Sequence, residues 1–111
     1  MTRIATTSLD AVLGLLGLAA RAGHVVVGTE QVRSLAGKGR VRFVMVASDL
    51  SANGRQRIVP MLEHRGLAYA ERYTRAELGE AVGHGPTGAL GLTDPRLAER
   101  IRELLEELSV R

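Results

Sequence analysis

Residues 19–33 read AARAGHVVVGTEQVR. The part of this stretch equipped for chemistry is Gly28-Thr29-Glu30-Gln31: a glycine, a hydroxyl, a carboxylate and a carboxamide in a row, with Arg33, Lys38, Arg40 and Arg42 following. A carboxylate accepts hydrogen bonds and a carboxamide both donates and accepts, so the pair can meet the edges of nucleobases while the cations hold phosphates. At the start of a helix, with Thr29 as its cap, the same residues also satisfy free backbone N–H groups, and a first-turn Glu is favoured by the helix dipole in any protein. The residue types alone fit both uses equally.

The remaining candidates are weaker. Residues 83–88, GHGPTG, match G-x-G-x-x-G, but a helix precedes and a strand follows where a dinucleotide fingerprint needs the reverse, and Pro86 removes a donor. A flexible loop is the expectation there. His24, His64 and His84 have no spacing that puts two on one face of an element, and the chain has no cysteine, so no metal site is expected. Asp49 follows the strand expected at the sheet centre, where open α/β sheets place ligands, but it has no nucleophile or base beside it in sequence. It reads as a turn aspartate bonding its own backbone. Nothing here assembles an enzyme or calls for a cofactor.

The 111 residues amount to one domain, 45% hydrophobic but only 3% aromatic, so its core must be built from Leu, Val, Ile and Ala. Residues 1–75 carry eleven basic and five acidic groups, residues 76–111 four and seven. A basic first two-thirds suits a phosphate-rich partner, although a net charge of +3 is ordinary for a small domain. Residues 11–20, AVLGLLGLAA, run into Ala20-Arg21-Ala22 and have the outline of a leader peptide. Asp10 at the front of the run, and Leu9, Val12, Leu13, Leu16 and Ala20 at helical spacing behind Ser8 as cap, make it a helix of the mature fold instead. The run is too short to span a membrane, and the cytoplasm is the default compartment.

Strands and helices then alternate. Helices are expected over about 9–22, from Gly28-Thr29 to Gly37, after the turn and cap formers at 49–54 through Ile58, Val59 and Leu62 to near Gly66 with a kink or restart at Pro60, over 75–82, and from Asp94-Pro95 onward. Strands are expected at 24–27, 41–47, 68–73 and 89–92, with 41–47 (VRFVMVA) apolar enough to be covered on both faces. Thr74 with Glu77 forms a capping box. The order implies an α/β sandwich with helices on both faces of the sheet.

Several dispersed segments, taken in order, carry a family resemblance. Ala20-Arg21-Ala22-Gly23, Val27-Gly28-Thr29-Glu30-Gln31-Val32, Lys38-Gly39 ahead of Phe43-Val44-Met45-Val46-Ala47-Ser48-Asp49, and Leu78-Gly79-Glu80-Ala81-Val82-Gly83 resemble the kink-turn RNA-binding ribosomal-protein family. This is the superfamily of the large-subunit proteins "L-seven-Ae" and "L-thirty-e", and the match is nearest to its small stand-alone bacterial branch. The resemblance implies a three-layer α/β/α sandwich around a four-stranded mixed sheet, and a monomer that binds internal loops of structured RNA bent by tandem sheared G·A pairs. It implies guanine contacts for Gly28, Thr29, Glu30 and Gln31, and phosphate contacts for Arg33, Lys38 and Arg40, with Ser34 and Ser48 at the same surface. Residues His84, Gly85 and Pro86 would lie beside the bulged nucleotide. Many relatives have Asn-Glu at Glu30-Gln31 and lysine at Ser34. Ribosomal or RNA-processing partners are the expected setting, and a protein-interaction module keeping the fold without tight RNA binding is the alternative.

Overall fold

The structure is a computed structural model that describes the backbone of residues 8–110 and the side chains of residues 11–108. Five helices, α1 (Ser8–Arg21), α2 (Thr29–Gly37), α3 (Ala52–His64), α4 (Arg75–Ala81) and α5 (Pro95–Val110), interleave with four strands, β1 (Val25–Val27), β2 (Phe43–Val46), β3 (Tyr69–Glu71) and β4 (Ala89–Leu92). The sheet order is β1-β4-β2-β3, with β2 parallel to β3 and β4 antiparallel to both β1 and β2, so the sheet is mixed.

The period-two alternation of the strands builds two cores. Phe43, Met45, Leu90 and Leu92 face α1, α4 and α5, where Val12, Leu16, Leu78 and Ile101 are fully buried. Val44, Val46 and Ala89 face α2 and α3, where Val32, Ala36, Ile58, Val59 and Leu62 close the other layer. All four residues of β2 are buried, as its apolar run requires. The result is the expected α/β/α sandwich.

The helix starts follow their sequence signals. Ser51 Oγ accepts from Gly54 N–H at the start of α3, and Thr74 with Glu77 forms the reciprocal box at α4. Asp94 Oδ2 accepts from Leu97 N–H at the start of α5. The expected cap at Ser8, and the side chains of Leu9 and Asp10, lie outside the described residues.

Two expectations are corrected. α3 does not restart at Pro60 but runs through it. Proline removes the donor for the Gln56 carbonyl, but both residues are exposed, so water can serve that oxygen. Asp49 does not close a turn on its own backbone: its Oδ1 accepts from Arg75 N–H at 2.9 Å, tying the loop after β2 to the first residue of α4.

Candidate nucleic-acid interface

The strand directions fix which candidate residues meet. β1 leads into Gly28, β2 ends next to Ala47 and Ser48, and β4 begins after Gly88; Gly28 N–H donates to Ala89 O and Ala47 N–H to Gly88 O, both at 2.9 Å. The start of α2, the loop after β2 and the loop before β4 therefore share one end of the sheet. At their junction stands Gly88, where a Cβ would lie 2.9 Å from Thr29 Oγ1 and 3.0 Å from Leu50 Cδ2. A side chain there would push on Thr29 Oγ1 and Leu50 Cδ2, so a glycine lets these three segments close together without that displacement.

Gly28, not Thr29, occupies the N-cap of α2. Its backbone has φ 103° and ψ 145°, a region essentially confined to glycine, and no side chain caps the helix. Thr29 is the first helical residue, and its hydroxyl faces Gly88 rather than the free N–H groups. The first backbone bond of the helix is Val32 N–H to Gly28 O, leaving Thr29, Glu30 and Gln31 N–H without an acceptor among the described residues. The other three helices whose starts are described, α3, α4 and α5, all carry a side-chain cap. Among the described helix starts the uncapped one is thus that of α2, and it points three donors and a partial positive charge out of the sheet end.

Glu30 and Gln31 are both exposed beside these donors. Glu30 accepts from Arg33 Nη1 at 3.4 Å through Oε1, and from Arg57 Nη2, on α3, through Oε2. These contacts, the Arg57 hydrogen bond above all, hold its carboxyl below the usual carboxylate range. Arg33 is half-buried, its Nη1 on Glu30 and its Nε enclosed without a hydrogen-bond partner. Ser34 is exposed one residue further along.

The loop at 83–88 is tied down at several points. His84 N–H donates to Gly79 O at 2.8 Å, Thr87 N–H to Arg75 O at 3.0 Å, and the Thr87 hydroxyl to Gly85 O at 2.8 Å. The loop lies so close on α4 that a Cβ at Gly79 would stand 2.0 Å from Gly85 O. His84, Gly85 and Pro86 remain exposed on its outer side. Ser48, also at this end, spends both of its donors on one acceptor: its N–H and its hydroxyl bond to Tyr73 O at 2.8 and 3.1 Å. That carbonyl belongs to a buried residue held at φ 67°, so Ser48 acts as a strut for the turn between β3 and α4.

Lys38, Arg40 and Arg42 do not join this cluster. α2 is nine residues long and carries the chain about 13 Å back along the sheet before Lys38. Arg40 N–H bonds to Leu35 O beyond the helix end, and Arg42 N–H bonds to Leu92 O at the far end of β4. The three form no ion pair among the described residues. They make a second cationic area separated from the first by the length of α2. Arg57 went unmarked in the sequence, and Gly88 was noted only as the last glycine of the 83–88 motif; Arg57 sits 27 positions from Glu30, and no local pattern signals such a pairing.

Fold and site together define a small α/β/α binding domain with an uncapped, polar helix start on one end of its sheet. Among the described residues no group of three or more His, Cys, Asp or Glu side chains is placed to hold a metal. None of the described helices is long and apolar enough to cross a membrane. Residues 10–101 match the Ribosomal protein L7Ae/L30e/S12e/Gadd45 family, and the chain belongs to it. It is similar to the RNA-binding protein YlxQ of Enterococcus faecium, 28% identical over 94 residues, which span 85% of this chain and 90% of that one. YlxQ of Bacillus subtilis (strain 168) is 29% identical over 92 residues, 83% of this chain and 92% of the relative. Among solved structures, a protein of unknown function from Bacillus halodurans C superposes with a TM-score of 0.81 at 27% identity, over 86% of this chain and 96% of that one. The Giardia lamblia 15.5kD RNA binding protein shares the fold, with a TM-score of 0.73 at 19% identity over 96% of this chain and 92% of its own.

Proposed function

We propose that this chain is a non-catalytic RNA-binding protein that recognises a kink-turn-like internal loop containing sheared G·A pairs, in the setting of the ribosome or of RNA processing. The observation that carries the reading is the uncapped start of α2, with three unpaired N–H donors flanked by the exposed Glu30 carboxylate and Gln31 carboxamide. In a sheared pair the guanine turns its edge outward, where donors and acceptors in this arrangement can address it. The names of the YlxQ relatives support RNA as the partner.

Roles follow from position. Gly28 to Gln31 read guanine edges, residues 84–86 sit beside an extruded nucleotide, and Arg33 meets the phosphates next to the loop. Lys38 and Arg40, a helix length away, meet the phosphates of a flanking stem, and Ser34 borders the same surface. Ser48 contributes through the turn it braces.

Recovery from lysate with and without nuclease, followed by RNA sequencing, identifies the partner. Structured RNA with G·A-rich internal loops is the expected cargo, and its binding should weaken steeply with salt as counterions return to the phosphates. A salt-insensitive protein partner that survives nuclease would replace this reading with that of a protein-interaction module.

A further inference from the structure

We propose that Arg57, on α3, is a positioning residue of the RNA site: it holds the Glu30 carboxylate in one orientation and offsets its charge, so that Glu30 can accept from a guanine edge within a phosphate-rich surface. This rests on the RNA reading above. The Glu30 side chain is 63% exposed, and without a partner it would sample several rotamers and be repelled by approaching phosphates. Its local partner Arg33 is a single, long contact at 3.4 Å from the same helix. Arg57 approaches from the neighbouring helix and takes the other oxygen, Oε2.

Both ends of this link are mounted rigidly. Ile58, adjacent to Arg57, is fully buried, and Ser51 caps the same helix; Val32, two residues after Glu30, is fully buried under α2. The pair therefore joins two fixed platforms across the α2–α3 layer. Each carboxylate oxygen has two acceptor sites, so Oε1 and Oε2 each keep one after receiving its guanidinium. Those free sites are what a guanine edge, donating through its imino and amino groups, would use.

The test is a double-mutant cycle read by equilibrium binding. Wild type, Glu30→Gln, Arg57→Ala and the double variant are titrated with an RNA containing tandem sheared G·A pairs in an internal loop and with a plain duplex of equal length. Each single change should weaken loop binding about tenfold, and the double variant should be no more than about twofold weaker than the weaker single. Arg57→Lys, which keeps one charged donor, should stay within about threefold of wild type. Melting temperatures should move by no more than about 2 °C, because the pair is exposed. Independent, multiplying effects in the double variant, or an Arg57→Ala protein that binds the loop like wild type, would overturn the proposal. If wild type itself does not prefer the loop, the RNA reading fails first and the role of Arg57 falls with it.

Discussion

Replacing Gly28 by alanine separates conformational strain from steric conflict. A Cβ at Gly28 meets nothing within 4 Å, so any loss must come from the backbone itself. At φ 103° and ψ 145° an L-residue is strained by about 1–3 kcal/mol. The chain cannot easily relax it, because Gly28 N–H is bonded to Ala89 O and Gly28 O to Val32 N–H, both at 2.9 Å. At about 4 °C per kcal/mol for a domain of this size, Gly28→Ala should melt about 4–12 °C below wild type. The valine variant should be worse, since β-branched residues resist positive φ more strongly. Differential scanning calorimetry gives the stability, and titration with the internal-loop RNA gives the second readout, which should weaken as the α2 donors tilt. An alanine variant that melts at or above the wild-type temperature would refute the claim that the site's floor depends on a glycine-only conformation.

Gly14→Ala should act in the opposite direction: the position is exposed within α1 and has open space around it, so helix propensity alone should stabilise by about 0.5–1 kcal/mol, seen as a higher denaturation midpoint. Gly79→Ala drives a Cβ onto Gly85 O and His84 O and should destabilise by about 1–3 kcal/mol while weakening loop-RNA binding, since residues 84–86 must move. Glu71 has its carboxyl held below the ordinary range by hydrogen bonds from Arg55, so its contribution is present above the unfolded-state value and is lost as pH falls through the lowered one. Melting curves between about pH 5 and 3 should therefore fall less steeply for Glu71→Gln than for wild type. Intact-mass measurement of the expressed protein should show no species beginning at Gly23, because Val12, Leu16 and Ala19 of α1 are fully buried in the core; finding one would contradict the packing of α1.

Element order and caps were legible because their signals are local. The capping box at Thr74 and Glu77, the Asp94 cap and the apolar run of β2 each declare themselves within a few residues. Strand order was not, since the antiparallel pairing of Val25 with Leu92 and of Phe43 with Leu92 depends on the whole chain. The start of α2 was misplaced by one residue because glycine caps through its backbone, whereas Thr29 looked like the better side chain. The basic residues near α2 looked like one group in sequence, but a helix moves its two ends apart, and Lys38 and Arg40 lie a helix length from Glu30 and Gln31 for that reason. Family resemblance pointed to the start of α2 as the candidate interface, while the missing cap on α2 and the reach of Arg57 emerged only from the assembled fold.

If α2 reads guanine edges, the protein must bind an internal loop with tandem sheared G·A pairs more tightly than a plain duplex, and equilibrium titration of both RNAs at physiological salt measures this directly. Wild type should prefer the loop by at least about tenfold. Gln31→Ala should remove about 1–3 kcal/mol of loop binding and leave duplex binding nearly unchanged, whereas Arg33→Ala should weaken both RNAs alike and lower the salt slope by about one. Equal wild-type affinity for the two RNAs, or a Gln31→Ala protein that loses both to the same degree, would contradict guanine reading by α2.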